Sequence, residues 1–140
     1  IIDRLVPCKG GVGRFSIMDA GAGGANCFIV FCGHKIQRVF DNLLHNAVLY
    51  SYPDTEIAIT AEVRGSNAVI CFRNHGDTIP EEKLARIFEQ FYRLDAARSS
   101  SGGAGLGLAI ARRIVELHGG AIEARSAKDM IEFTVKLPLS

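Results

Sequence analysis

Apolar residues repeat at intervals of three and four over residues 35–50, and this period predicts an amphipathic helix. The residues concerned are Ile36, Val39, Phe40, Leu43, Leu44, Ala47 and Val48. A similar stripe, which ends before the pair Gly119-Gly120, predicts a helix over 105–117. A third stripe of Leu84, Ile87, Phe88 and Phe91 predicts a helix that starts at the signature Thr78-x-x-Glu81.

Alternating segments predict strands that are joined in pairs. Residues 56–64 and 68–73 flank a short turn, and residues 121–125 and 131–137 form a closing hairpin. Residues 14–18 and 27–32 read as two further strands. Hairpins separated by helices predict an α+β fold: a two-layer sandwich with a mixed, mostly antiparallel sheet covered on one face by about three helices. At 140 residues, we expect residues 1–140 to be one domain.

Composition narrows the class of protein. The chain is 48% hydrophobic and 22% charged with a net charge of +1, which is typical of a globular domain and gives no sign of nucleic-acid binding. Its apolar runs are shorter than the roughly 18 residues that cross a bilayer, and no signal peptide is evident. Four cysteines without a Cys-x-x-Cys pair favour free thiols in a reducing, cytoplasmic context, with disulfides as the alternative.

A glycine cluster directly precedes the helix of residues 105–117. Gly102, Gly103, Gly105 and Gly107 fall within six residues. Glycines at a helix N-terminus let backbone N–H groups approach an anion, so the stretch predicts a phosphate cradle; the alternative is a flexible loop. No Gly-Lys-Ser/Thr follows, which excludes a Walker loop, and a polar loop rather than a strand precedes it, unlike a dinucleotide fingerprint.

Polar residues at two other places suggest ligand contacts. Asn42 and Asn46 lie one turn apart at the edge of the first apolar stripe, where their carbonyl oxygens reach a metal or a phosphate unless they are simple boundary amides. Residues 74–78 form a polar cluster directly after a predicted strand, and strand ends are common ligand sites in open sheets.

Taken in order, these segments resemble the ATP-binding catalytic domain of bacterial sensor histidine kinases, which has the Bergerat fold that DNA gyrase and MutL share. The family's N-box resembles residues 41–50, its two glycine boxes resemble residues 74–80 and 103–108, and its F-box resembles residues 88–95. A final box lies near Phe133-Thr134. The resemblance covers roughly residues 34–138, and residues 88–110 are most similar to the vancomycin-resistance sensor kinases.

The resemblance implies ATP and Mg²⁺ as cofactors and assigns residues to them. Asn46, helped by Asn42, would hold Mg²⁺, and Arg93 would reach the γ-phosphate, so that Asn46 and Arg93 are the expected catalytic residues. Asn74 would face the adenine amino group, and residues 94–104 would be the ATP lid. The other expected nucleotide contacts are Tyr50, Gly76, Ile79, Phe91, Tyr92, Gly103, Gly105, Leu106, Gly107, Leu108 and Thr134.

The chain also departs from the family's pattern. Asn74 replaces an adenine-facing aspartate, Thr78 replaces a glycine, and Leu49 stands where a lysine is common. Residues 1–33 match the family poorly. These departures bear on nucleotide affinity more than on fold.

The resemblance favours phosphoryl transfer over hydrolysis. The related ATPases carry a glutamate base at the position of Asn42, and an amide cannot accept a proton at neutral pH. The family's acceptor histidine lies beside an acidic residue, and no histidine of this chain is followed by Asp or Glu.

We therefore expect a cytoplasmic, monomeric part of a membrane-anchored homodimeric sensor, whose partners are its own dimerisation and phosphoacceptor domain and a response regulator. The alternatives are a nucleotide-binding module with little catalysis and a serine-type protein kinase or regulator of the same fold.

Overall fold

The computed structural model of the protein describes residues 34–94 and 105–138. The strands predicted at 14–18 and 27–32, the residue Gly103 and residues 95–104 of the predicted lid lie outside the described residues. The described part shares one hydrophobic core. The prediction of a single domain over residues 1–140 extends beyond that core and stays a prediction.

The described elements alternate between helices and hairpins. They are α1 (His34–Tyr50), β1 (Ile57–Arg64), β2 (Asn67–His75), α2 (Glu81–Leu84), α3 (Gly107–Leu117), β3 (Ala121–Ala127) and β4 (Met130–Pro138). The four described strands form a sheet in the order β1-β2-β4-β3, and every neighbouring pair is antiparallel. The predicted α+β sandwich is thus confirmed, and the four strands of both predicted hairpins are present.

Alternation along the strands gives the sheet one apolar face. Phe72 of β2 lies opposite Phe133 of β4, and both are buried against α1 and α3. The next residues along each strand, Arg73 and Glu132, point to the other face and form an ion pair of 2.6 Å, because successive strand side chains alternate between faces. The core, and any site built into it, therefore lies on the helix side of the sheet.

The apolar stripe of α1 packs on that face. Val39 and Leu43 are fully buried and Ile36 is 2% exposed. Burying a side chain of this size stabilises the fold by about 1.5–3 kcal/mol. This packing fixes the orientation of α1, and the polar residues beside the stripe, including Asn42 and Asn46, are only half-buried.

The third predicted helix is much shorter than its apolar stripe suggested. Helix α2 ends at Leu84, and single turns follow, in which the N–H of Arg86 bonds to Lys83 and that of Glu89 bonds to Arg86. Ile87 is buried, but Phe91 is 67% exposed and has a φ of 65°. A helix cannot continue through a left-handed residue, so the prediction that Phe91 shares the buried face was wrong.

The start of α2 also differs from the predicted capping signature. Helix α2 begins after Pro80 and has no side-chain cap. The hydroxyl of Thr78 instead accepts a hydrogen bond of 2.8 Å from the backbone N–H of Asp129, in the turn between β3 and β4. The capping role is lost because Thr78 ties its loop to that turn. Within residues 34–94 and 105–138, no helix has the length and hydropathy needed to cross a bilayer.

Candidate nucleotide site

A cavity of about 380 Å³ opens between α1, the core face of the sheet and the start of α3. The structure brings most of the predicted site residues to its wall: Asn42, Asn46, Tyr50, Asn74, Ile79, Tyr92, Arg93, Gly105, Leu106, Gly107 and Leu108. These residues come from five separate stretches of the chain, which only the fold unites. The volume lies within the range of small-molecule and cofactor sites.

Asn42 connects α1 to the start of α3. Its Nδ2 donates a hydrogen bond of 3.1 Å to the backbone carbonyl of Gly107. Because the amide nitrogen is engaged, the carbonyl oxygen Oδ1 is the atom of Asn42 that is left to accept hydrogen bonds or bind a cation. Asn46 lies one turn further along α1, is half-buried and lines the same cavity.

These amides suit Mg²⁺ only when a nucleotide accompanies it. Amide carbonyl oxygens are acceptable ligands for a hard cation, but Mg²⁺ normally takes carboxylates or phosphates as well. No Asp or Glu of the described residues lines the cavity. Nor do the described residues contain a group of three or more His, Cys, Asp or Glu that could hold a metal. The donor set therefore fits a cation whose remaining ligands are phosphate oxygens and water.

The charged side chains along the described cavity wall are cationic. Arg38 of α1 and Arg93 contribute guanidinium groups, and His45 adds an imidazole at the exposed edge of α1. Helix α3 begins at Gly107, and its N-cap residue Leu106 offers no side-chain hydrogen bond to the first turn. Helix N-terminal N–H groups and guanidinium groups both favour anions, so this side of the cavity suits a polyphosphate.

Asn74 forms a buried polar point on the sheet side of the cavity. It is 2% exposed, and its Nδ2 has no hydrogen-bond partner among the described residues. Strand β2 continues through His75, so Asn74 belongs to the sheet rather than to the loop that the sequence predicted. A buried donor without a partner lowers the stability of the fold by about 1–3 kcal/mol. A ligand with an acceptor atom at this place would offset that loss.

The loop after β2 is hydrogen-bonded to the β3–β4 hairpin at two points. The N–H of Gly76 bonds to the carbonyl of Asp129, and the N–H of Ile79 bonds to the Ser126 hydroxyl at 2.9 Å. The Ser126 hydroxyl in turn donates to the carbonyl of Met130. These bonds place Ile79 against the cavity as a fixed apolar wall.

Gly76 lies behind the cavity wall rather than on it. A Cβ at this position would collide with the Tyr50 carbonyl oxygen and would also crowd the Asn74 amide and Ile131. The close approach of the end of α1 is thus a sufficient reason for glycine here. The contact of Gly76 with a base stays a prediction.

Tyr52 joins the end of α1 to the same loop. Its N–H bonds to the carbonyl of His75, and its hydroxyl donates a hydrogen bond of 2.8 Å to Oδ1 of Asp77. That hydrogen bond, with smaller contributions from desolvation and from the charge of Asp129, raises the pKa of Tyr52 to about 12. The phenol is stabilised in its neutral form because the phenolate would face two carboxylates.

Phe91 and Thr134 are not among the described residues that line the cavity, and their contacts with a nucleotide stay predictions. Phe91 points outward, and its backbone N–H bonds instead to the carbonyl of Gly105, at 3.0 Å. Gly105 has a φ of +76°, and a Cβ there would lie 3.0 Å from backbone atoms of Phe91 and Tyr92. The glycine therefore allows the chain on either side of residues 95–104 to be held together.

Thr134 lies on the face of the sheet away from the cavity. It pairs with Cys71 across the strands, and its hydroxyl is close enough to lower the pKa of the Cys71 thiol, which burial raises above its usual value. Its neighbour Phe133 and the residue Ile131 line the cavity instead. The difference between Thr134 and Phe133 follows from the two-residue period of a strand, because a shift of one residue exchanges the faces.

Several cavity residues were missed by sequence reasoning. Arg38, His45 and Leu49 share one face of α1 with Asn42 and Asn46, and Ile87, Leu94 and Ile110 complete the apolar part of the wall. Helical spacing from Asn42 could have identified the first three, since residues three and four apart share a face. The apolar ones resemble ordinary core residues in the sequence.

The chain is similar to known proteins over most of the described part. Residues 33–140 match the family model described as histidine kinase-, DNA gyrase B- and HSP90-like ATPase. The sensor protein VanS of Enterococcus faecium is 54% identical over 105 residues, which are 74% of this chain and 27% of VanS.

Solved structures give the same result. The catalytic domain of histidine kinase ThkA has a TM-score of 0.65 and 32% identity, over 74% of this chain and 66% of that chain. Full-length ShkA, solved in complex with AMPPNP, has a TM-score of 0.66 and 28% identity, over 76% of this chain and 22% of its own. The expected resemblance to sensor histidine kinases is confirmed, and the chain belongs to the family of histidine kinase-, DNA gyrase B- and HSP90-like ATPases.

Proposed function

We propose that this chain is the ATP-binding catalytic domain of a sensor histidine kinase, which binds Mg-ATP in the cavity and presents the γ-phosphate to a histidine on a separate domain. The observation that carries the proposal is a cavity whose wall combines a buried amide, Asn74, with a cationic side at Arg93 and the start of α3, where no described residue is a carboxylate. A purine triphosphate has a matching polarity, with a hydrogen-bonding base at one end and negative charge at the other.

The comparison structure of ShkA supports the choice of ligand. That protein was solved with AMPPNP, an ATP analogue, and shares the fold over 76% of this chain. In this chain the base would lie toward Asn74 and Ile79, and the phosphates toward Gly107 and Arg93. Residues 94–104 keep the role that the resemblance gives them, a cover for the nucleotide.

Asn42 and Asn46 would hold Mg²⁺ through their carbonyl oxygens. When bound, the ion would supply neutralisation of phosphate charge, which is the main requirement of phosphoryl transfer. Arg93 would reach the γ-phosphate, and Asn46 would act on the phosphates through the Mg²⁺ that it holds. The Asn42 amide would position the start of α3 through its bond to Gly107.

Transfer fits this site better than hydrolysis. A general base must lie within reach of the attacking water and accept its proton. Asn42 is an amide with its nitrogen bonded to Gly107, and no carboxylate of the described residues lines the cavity. The acceptor is therefore proposed to be a side chain supplied by another domain.

The names of the relatives support a proposal about the partners of the whole protein. The chain spans 27% of the length of VanS, which is described as a sensor protein. We propose that the full protein is a membrane-anchored homodimer whose cytoplasmic side contains this chain, a dimerisation domain with the acceptor histidine, and a docking site for a response regulator.

The test has a binding step and a transfer step. Calorimetric titration of this chain with ADP should show one site that is tighter with Mg²⁺. Full-length protein incubated with γ-labelled ATP should then carry acid-labile, alkali-stable phosphate, as on histidine, whereas this chain alone should carry none. Nucleotide binding without any transfer would favour a binding module, and acid-stable phosphate on serine of a partner would favour the serine-kinase alternative.

A further inference from the structure

The position that can read the base in this cavity is Asn74. Among the described residues it is the one buried polar or charged side chain. The other residues on the sheet side of the cavity, Ile79, Ile131 and Phe133, are apolar and carry no hydrogen-bonding information. Discrimination between bases by buried polar contacts therefore depends on this amide, because apolar walls reject a polar isostere only weakly.

Among the described residues, none accepts a hydrogen bond from the buried Nδ2 of Asn74, so none of them fixes the orientation of the amide through its nitrogen. A Cβ built on Gly76 would lie 3.2 Å from this nitrogen, and Ile131 pairs with Asn74 across the sheet. An amide offers one acceptor and one donor side by side, and a half-turn about its last torsion exchanges them. The two groups are nearly equal in size, so the half-turn leaves the packing unchanged.

The two common purine classes present complementary edges to such an amide. Adenine carries a donor at the 6-amino group and an acceptor at N1, whereas guanine and hypoxanthine carry an acceptor at the 6-oxo group and a donor at N1. Each edge matches one orientation of an amide with two hydrogen bonds. A carboxylate, which only accepts, would match the 6-amino group and oppose the 6-oxo group.

We propose that Asn74 makes this site permissive for the base, so that it accepts 6-amino and 6-oxo purine nucleotides with similar affinity. The proposal rests on the proposed nucleotide-binding function and adds the substrate class to it. In either orientation of the amide, the buried Nδ2 donates to the base, so neither purine leaves this donor unpaired. The free-energy penalty by which a site usually rejects a mismatched base is therefore absent.

The first experiment needs no variant. Dissociation constants of this chain for ADP, IDP and purine riboside 5′-diphosphate are measured by calorimetry with Mg²⁺. IDP tests the 6-oxo edge without the 2-amino group of guanine, and the third nucleotide lacks any 6-substituent. We expect ADP and IDP to agree within about fivefold, roughly 1 kcal/mol, and the third nucleotide to bind more weakly than both.

A second experiment assigns the effect to Asn74. Asn74→Asp, measured at about pH 8 to keep the buried carboxyl ionised, should tighten ADP about fivefold and weaken IDP, because hydrogen bonds to a charged group are stronger. The ADP-to-IDP preference should rise at least tenfold. Asn67→Asp, on the exposed start of the same strand, is the matched control and should leave the ratio unchanged.

The outcomes separate the two proposals. Tight ADP binding with IDP excluded by more than about thirtyfold, or about 2 kcal/mol, overturns the permissive site and leaves the nucleotide-binding function intact. An unchanged ratio in Asn74→Asp overturns the assignment to Asn74. Failure of this chain to bind ADP at all overturns the nucleotide-binding function, and the permissive site with it.

Discussion

Asn42 and Gly107 are 65 residues apart in sequence, yet the Asn42 Nδ2 lies 3.1 Å from the Gly107 carbonyl oxygen. The bond joins the middle of α1 to the first residue of α3, on the side of the cavity proposed for the phosphates. It also sets the amide so that Oδ1 is the accepting atom, and a Cβ at Gly107 would lie 3.6 Å from that oxygen. One side chain therefore links the geometry of α1 to the start of α3, where the phosphates are proposed to bind.

Replacing this amide with a carboxylate should weaken both stability and nucleotide binding. Asn42→Asp removes the donor and places a charge beside the Gly107 carbonyl, so we expect the free energy of unfolding to fall by about 1 kcal/mol. Affinity for ADP measured without Mg²⁺ should also fall, because the new charge repels phosphate. Urea unfolding and calorimetry measure the two effects. Asn67→Asp is the control, and a variant as stable as the parent would contradict the importance of this bond.

Local pattern was sufficient to predict most of the fold. The stripes of α1 and α3 and the two hairpins follow from periodicity alone. Local pattern could not predict the Asn42–Gly107 bond or the unpartnered Nδ2 of Asn74 among the described residues. Both depend on which distant residues the fold brings together. Phe91 satisfied the helical period, but the chain turns left-handed there and bonds to Gly105.

The final box, near Phe133-Thr134, spans both faces of β4. The resemblance gave no information on which of these faces is buried. Thr134 and Phe133 differ by one residue, and one residue decides the face. The burial pattern along β4 resolves it: Ile131, Phe133 and Val135 face the core.

Asn46→Ala should remove most of the dependence of nucleotide binding on Mg²⁺. The cavity lacks carboxylates among its described residues, so we expect Mg²⁺ alone to show no binding. With ADP, Mg²⁺ should tighten binding in the parent, and the variant should lose at least about tenfold, or 1.4 kcal/mol, only when Mg²⁺ is present. Calorimetry with and without a chelator measures this, with Asn67→Ala as the control. Equal losses under both conditions would indicate that Asn46 contributes by packing.

Two glycines of the site should respond differently to the same substitution. Gly76→Ala introduces a Cβ that collides with the Tyr50 carbonyl oxygen, so we expect a loss of about 1–3 kcal/mol of stability from overpacking. Gly107→Ala places a Cβ in the first turn of α3, where its nearest described atom, Oδ1 of Asn42, is 3.6 Å away. The free energy of unfolding should therefore stay the same or rise by up to about 1 kcal/mol. Urea unfolding of both variants measures the difference. Equal effects would contradict the described approach of α1 to the loop.

The hydrogen bond between Tyr52 and Asp77 should be visible in an alkaline titration. The pKa of Tyr52 is raised from 10.0 to about 12, first by that bond and then by desolvation and the charge of Asp129. Because the folded pKa lies above the unfolded one, the stabilisation is fully present below pH 10 and is lost as the pH rises toward 12.

Phenolate absorbance measured against pH should show a late step that Tyr52→Phe removes. Asp77→Asn takes away the charge that holds the phenol neutral, so that step should move down toward 10.0. Asp54→Asn, at an exposed carboxyl two residues from Tyr52, is the matched control and should leave it in place. A late step that survives in Asp77→Asn would mean that this carboxylate does not hold the end of α1 to the loop beneath the cavity.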